Sequence, residues 1–295
     1  MMKFKIFDAH SDILYDVYQS SLKGDFNRFN EYHVPQLKDT VKGGIWTVYS
    51  PNDFNLIEAL TKSKALVDLK SFEVILGIEG LRNLKSVSDL QKIYDLGYRH
   101  AMLTWNEAND YATGVKGPID RGITPKGYEV LDFMISHDMI IDLSHLNEKS
   151  FYDVLNYTHQ NILVSHSNLN KFRNHPRNLT DAQLQKLKDA NSLLCLTLAG
   201  GFIAESEKDR NLDTFMLHLK EAVHVMGIDN VGFGFDFMDY FGSEKTMNIE
   251  ELKDASELPK LINKLICEGY TNEEIEKLTY YNLYNRFKRH IFSHI

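Results

Sequence analysis

The chain has 295 residues, 43% of them hydrophobic, with 33 Lys and Arg against 41 Asp and Glu and a formal net charge of −8. That length suits one barrel-sized domain or two ordinary ones, and it can bury a core without disulfides or a partner. The acidic balance excludes the electrostatic footprint of a nucleic-acid or anionic-membrane binder. Two cysteines, Cys195 and Cys267, are too few for a disulfide framework or a thiolate zinc site, and both read as small buried hydrophobes. The amino-terminal stretch, residues 1–8, lacks the apolar segment of a signal peptide, and no apolar run reaches membrane-spanning length, so a cytoplasmic protein is expected.

Residues 4–8 form a compact apolar run that predicts a first strand, and it leads into Asp8-Ala9-His10-Ser11-Asp12. On an extended chain residues two apart point the same way, so His10 and Asp12 can meet one cation. A lone His-x-Asp is more often an ordinary capping or hydrogen-bonding pair. A second strand is predicted over 45–50, then a helix over 54–70 with Leu56, Leu60, Ala65 and Leu69 as its apolar positions. The third strand, 74–78, runs into Glu79-Gly80 after Gly77. Glycine permits close backbone approach, so Glu79 can reach across a crowded site; the plain alternative is a surface turn. The fourth strand, 100–104, begins at His100 and ends beside Trp105.

A helix over 125–136 opens with Thr124 as cap and Pro125 at its first position. The fifth strand, 139–143, and the sixth, 162–165, both terminate in Ser-His, as Ser144-His145 and Ser165-His166. A histidine at a strand end is usually structural, but two identical placements on successive strands make coincidence the poorer account. Arg177 follows in a loop ahead of a helix over 180–190. An isolated arginine is most often a solvated charge, yet its planar fork is the best available receptor for a carboxylate. The seventh strand, 193–198, a helix over 213–226 and the eighth strand, 230–235, come next. The eighth places Asp236 directly after Gly232-Phe233-Gly234-Phe235, and helices over 248–267 and 272–287 close the sequence.

Eight strands alternating with helices predict the α/β class and a closed (β/α)8 TIM-like barrel, with residues 1–295 as a single domain. His10, Asp12, Glu79, His145, His166 and Asp236 then follow strands at their C-terminal ends, which converge on one mouth in such a barrel. Five histidine and carboxylate ligands suffice for two metals if one carboxylate bridges. Mixed ligation without cysteine suits zinc, with Mn, Co or Fe as alternatives. Trp105 stands at the mouth end of its strand. His100 stands at the opposite end and receives no role.

With these pieces in place, the sequence resembles the membrane dipeptidase (renal dipeptidase) family of zinc peptidases. The matching pieces are Asp8-Ala9-His10-Ser11-Asp12, Gly77-Ile78-Glu79-Gly80, Leu96-Gly97-Tyr98-Arg99 with Leu103-Thr104, Ile141-Asp142-Leu143-Ser144-His145, Ser165-His166-Ser167, Arg177-Asn178-Leu179-Thr180-Asp181, Gly234-Phe235-Asp236-Phe237 and a closing Asn282-Leu283-Tyr284-Asn285-Arg286-Phe287. They occur in the family's order along nearly the whole chain. The resemblance implies a barrel with two zinc ions that cleaves dipeptides by a hydroxide shared between the metals. By matched position it implies that His10 and Asp12 hold one metal, His145 and His166 the other, and Glu79 bridges. It also implies that Arg177 receives the substrate carboxylate and that Asp236 transfers a proton or contacts the amine. A homodimer is an expectation at family level, and the family name's membrane association is not carried over.

The sequence departs from the family at three places. Trp105, followed by Asn106, stands where better-known members have a substrate-contacting histidine, and indole can donate a hydrogen bond but cannot become a cation. Asp236-Phe237 continues as Met238-Asp239, and no tyrosine marks the end of the seventh strand. Two rival readings remain. Another amidohydrolase-type barrel metallohydrolase would be expected to open His-x-His, where this chain has His10-x-Asp12. A non-catalytic binding protein derived from such an enzyme draws its argument from Trp105.

Overall fold

A computed structural model describes residues 4–242 and 247–294, so the first three residues of the amino-terminal stretch lie outside the described residues. The strands are β1 (Ile6–Ser11), β2 (Val41–Tyr49), β3 (Glu73–Glu79), β4 (Tyr98–Met102), β5 (Ile140–Asp142), β6 (Ile162–Val164), β7 (Leu193–Leu196) and β8 (Val231–Phe233). They lie in one eight-stranded sheet in chain order, β1 to β8, and β3–β4, β4–β5, β5–β6 and β7–β8 pair in parallel. Parallel neighbours need a crossover connection, and helices supply it. Among them are Leu56–Ser63, Asp89–Asp95, Pro125–Ser136, Glu148–Tyr157, Asp181–Asp189 and Leu212–Met226. This is a nearly closed (β/α)8 TIM-like barrel. No helix among the described residues is long and apolar enough to cross a membrane.

The chain forms two compact units. The first holds β1, β7 and β8 with residues 27–44. Its backbones approach closely at two glycines: a Cβ on Gly44 would stand 2.1 Å from the Asp8 carbonyl oxygen, and one on Gly234 1.8 Å from that of Ser165. Phe233, Phe235 and Phe237 stack in sequence at 5.7 and 5.5 Å, and Phe215 of helix Leu212–Met226 packs against Phe233 at 6.1 Å.

The second unit holds β3 to β6, the rest of β2 and residues 12–26. Its strands read as continuous apolar runs because both faces are covered; Val74, Ile75 and Leu76 are wholly buried. Thr124 caps Pro125–Ser136 by accepting the Gly127 amide at 3.1 Å, as its Thr-Pro start implies.

Several boundaries differ from expectation, each for a physical reason. β1 continues through Ser11 instead of stopping at Asp8, because alternation turns Asp8 and His10 to one face and Phe7 and Ala9 to the other. His100 sits inside β4, since that strand begins at Tyr98. The helix expected over 54–70 is shorter, Leu56–Ser63 followed by a 3₁₀ turn at Lys64–Leu66. The helix expected over 248–267 starts only at Pro259, which occupies its first position. Asn248 is instead held by the carbonyls of Phe235 and Asp236, both at 3.1 Å. Cys195 is buried as expected, but Cys267 is exposed. It ends helix Pro259–Cys267 away from the face on which Leu261, Ile262 and Leu265 are buried.

Candidate metal centre and substrate site

In the first unit, His10 at the end of β1 and His166 two residues beyond β6 stack with ring centroids 4.0 Å apart. His10 Nε2 lies 3.6 Å from Asp236 Oδ1. His10 thus offers a nitrogen within 4.8 Å of a His166 nitrogen, and one within 4.8 Å of an Asp236 oxygen. Both histidines are nearly inaccessible, whereas the Asp236 side chain keeps 14% exposure, enough to meet a ligand.

Backbone geometry makes these meetings possible. Gly234, two residues before Asp236, lets β8 run against the Ser165 backbone, one residue before His166. Asp236 then takes a left-handed backbone, φ 53°, and its amide donates to the His10 carbonyl at 3.3 Å. Asp8 lies beneath and accepts the amides of Phe235 at 2.9 Å and His10 at 3.2 Å. Burial pushes its carboxyl up to about 7, against the lowering effect of those two amides and of nearby His10. Ser165 Oγ lies 2.8 Å from His166 Nδ1, which leaves Nε2 as that ring's ligand atom.

Arg177 belongs to the same cluster and is not a surface charge. It is buried, donating to the His166 carbonyl at 3.2 Å and to Ser167 Oγ at 3.3 Å, with its guanidinium 5.4 Å from the Phe202 ring centre. A guanidinium fixed at the backbone of a candidate ligand is placed to receive an anion beside it.

The second unit holds the other cluster. Glu79 ends β3, and its Oε1 lies 2.9 Å from His145 Nε2. His145 Nδ1 donates to Asn106 Oδ1 at 3.0 Å, which fixes the ring and directs Nε2 toward the carboxylate. His145 also has a left-handed backbone, φ 71°, uncommon for a residue other than glycine and found where a site constrains the chain. Asp12 Oδ1 accepts the Thr47 hydroxyl at 2.6 Å. Trp105 stands three residues beyond β4, which ends at Met102 and not at Thr104, and its ring lies 5.9 Å from His145 and 5.3 Å from Tyr49. Burial, then the charges of Glu79 and Glu107, push the Tyr49 hydroxyl up to about 12.

The structure thus groups His10, His166, Asp236 and Arg177 in one unit, and Glu79, His145 and Trp105 in the other, where Asp12 pairs with Thr47. Sequence reasoning missed the residues that hold them: Asn106 on His145, Thr47 on Asp12, Ser165 on His166, and Asn248 behind Asp236. Only Asn106 and Ser165 carried a signal, as immediate neighbours of Trp105 and His166.

The donor set, two or three imidazoles with carboxylates and no thiolate, on the strand ends of a (β/α)8 barrel, is that of a metallohydrolase. The comparisons narrow this class. The profile of the membrane dipeptidase family, peptidase family M19, matches residues 50–290. The chain belongs to that family. An uncharacterized Klebsiella pneumoniae protein in the pqqA 5′ region is 30% identical over 77% of this chain and 83% of its own length. Two uncharacterized dipeptidases of Schizosaccharomyces pombe are 32% and 29% identical over 73% and 89% of this chain, which spans 52% and 64% of their lengths. Among solved structures, dipeptidase AC, a metallopeptidase of family M19, superposes with a TM-score of 0.83 at 20% identity, over 99% of this chain and all of that one. A metallopeptidase from Rhodobacter sphaeroides, solved with a phosphinate mimic of the dipeptide L-Ala-D-Ala, gives 0.81 at 20% identity over 98% and 99%.

Proposed function

We propose that the chain is a metal-dependent dipeptidase. Five side chains are proposed to hold two divalent cations, zinc by the character of the donors: His10 and Asp12 on one, His145 and His166 on the other, and Glu79 on both. The observation that carries this reading is the 2.9 Å approach of Glu79 Oε1 to His145 Nε2 with Nδ1 already committed to Asn106. An imidazole lone pair and a carboxylate so aimed form a ready pair of ligands. Held there, such cations would supply an acidified water and positive charge at the scissile carbonyl.

The remaining steps fall to the chain's own groups. Arg177 grips the free carboxylate of the substrate, which gives a physical reason to prefer dipeptides over longer chains. Asp236, partly exposed and 3.6 Å from His10, takes the proton from the attacking water and delivers it to the leaving nitrogen. Trp105, beside His145, offers an indole N–H where better-known relatives place histidine. The phosphinate dipeptide mimic carried by the Rhodobacter sphaeroides protein is consistent with this substrate class.

The test is hydrolysis of simple dipeptides beside their C-terminally amidated counterparts, with zinc and with a chelator. Chelator-sensitive cleavage of the free dipeptides, with the amides cleaved poorly, is expected. Full metal loading without cleavage of either would sink the reading and favour a binding protein that has lost the chemistry.

A further inference from the structure

We infer that His100, a residue outside the proposed metal set, is a positioning residue for His145. Together with Asp142 it fixes the turn that sets this ligand in place. The inference rests on the reading of His145 as a metal ligand. His100 lies in the middle of β4, wholly buried, with its Nε2 2.8 Å from Oδ2 of Asp142, which is also wholly buried. A carboxylate only accepts, so the imidazole donates from Nε2. The other oxygen of the same carboxylate, Oδ1, accepts the amide of Ser144 at 2.9 Å. Ser144 leads directly into His145, whose backbone stands at φ 71°.

The bonds therefore run in one line. His100 orients the Asp142 carboxylate, the carboxylate holds the Ser144 amide, and the held amide sets the backbone from which His145 reaches Asn106 and Glu79. A left-handed histidine persists only where its surroundings over-determine it, and this clamp is part of that determination.

Two further observations mark His100 as selected for this bond and not for packing. Its other nitrogen, Nδ1, is buried and has no hydrogen-bond partner among the described residues, a cost an apolar side chain would avoid. The neighbouring strand also makes room for the ring. Gly77 pairs with His100 in the β3–β4 register, and a Cβ there would stand 2.6 Å from Nδ1. Glu79 lies two residues beyond Gly77, on the same face of β3. One imidazole thus sits against the strand that carries Glu79 and is bonded to the carboxylate that holds the turn into His145.

The test uses the full chain loaded with cobalt(II), with two readouts besides turnover: affinity by competition with a chromophoric chelator, and the visible d–d spectrum. His100→Phe keeps a ring and removes the donor, and His100→Gln restores a donor near the position of Nε2. Loss of an outer partner of a metal ligand typically weakens binding by about 10–100-fold. His100→Phe is expected to weaken one of two sites by that factor, to change the spectrum, and to lower kcat more than it raises KM. His100→Gln is expected to recover most of each. Parent affinity and spectrum in His100→Phe would overturn the inference, as would His100→Gln matching a defective His100→Phe. Should His100→Phe fail to fold, Asp142→Asn and His100→Gln are compared on the same readouts, with Asp142→Asn expected to be the weaker binder and equal binding counting against the inference. A parent that takes up no divalent ion removes the metal reading itself, and this inference with it. A parent that binds two while His100→Phe is indifferent removes only this inference.

Discussion

At the scale of single residues the argument turns on Glu79 and Arg177. Glu79 is 4% exposed, and its carboxylate faces His145 at 2.9 Å. A buried carboxylate facing an imidazole at this distance is suited to share a cation with it. Glu79→Gln keeps the shape and removes the charge. It is expected to lower metal retention on dialysis and to cut turnover by at least about 100-fold, the upper end of what outer-shell changes alone do at metal sites. Metal analysis beside kinetics checks this, and near-normal activity at full metal content would remove the bridging assignment. Arg177 makes a contrasting case. Its donors are anchored on His166 and Ser167, so Arg177→Ala should act chiefly through KM for free dipeptides while amidated substrates change little. An equal loss on both would return Arg177 to a structural role.

At the scale of elements, the pH response of the helix behind the Arg177 loop can be argued with its sign. His218 lies in helix Leu212–Met226, wholly buried. Its Nδ1 accepts the Leu169 amide at 3.1 Å, and its Nε2 donates to the Ile203 carbonyl at 3.0 Å. Burial depresses its pKa to about 4, with the Ile203 bond opposing. The folded state therefore binds fewer protons than the unfolded state between roughly pH 6.5 and 4. The contribution is whole above pH 6.5 and is lost as pH falls toward 4, at a slope of at most ~1.4 kcal/mol per pH unit. Urea denaturation of His218→Asn against parent at pH 7 and pH 5 should show a smaller fall in the variant. An identical fall would mean that His218 does not titrate on unfolding.

The same scale shows what was legible in the sequence. Short apolar runs ending in His, Glu or Asp are visible because buried parallel strands read as continuous hydrophobic segments and their functional residues interrupt them at one end. The interruption also misleads. His10 looked like a residue after a strand, and His100 like the start of one, because polar side chains on a strand's inner face carry no label distinguishing them from an end. Asn248 was illegible for another reason. Its partners are main-chain carbonyls more than ten residues away, and helical periodicity over 248–267 knows nothing of them. The backbones of His145 and Asp236 leave no mark in a one-dimensional pattern either, since the strain is imposed by their neighbours.

At the scale of the whole molecule, metal binding and acid sensitivity are linked. Ligand histidines must be neutral and carboxylates ionised to hold a cation, so affinity falls as pH falls, and the folded state loses whatever stability the metal lent it. A ligand at 100 times its Kd that binds only the folded state adds about 2.7 kcal/mol. Without metal, the acid response retains the buried histidines that stand apart from the proposed ligands, His218 and His290, both depressed to about 4 by burial first. With zinc, the ligand term adds to theirs and carries the same sign, since both terms favour the folded state at neutral pH and fade toward acid. Denaturation midpoints at pH 7 and 5, with saturating zinc and with chelator, should therefore show zinc raising stability strongly at pH 7 and weakly at pH 5. A zinc increment equal at the two pH values would mean that the cations do not sit on histidine. No increment at either would mean that the proposed ligands hold no metal in the folded chain.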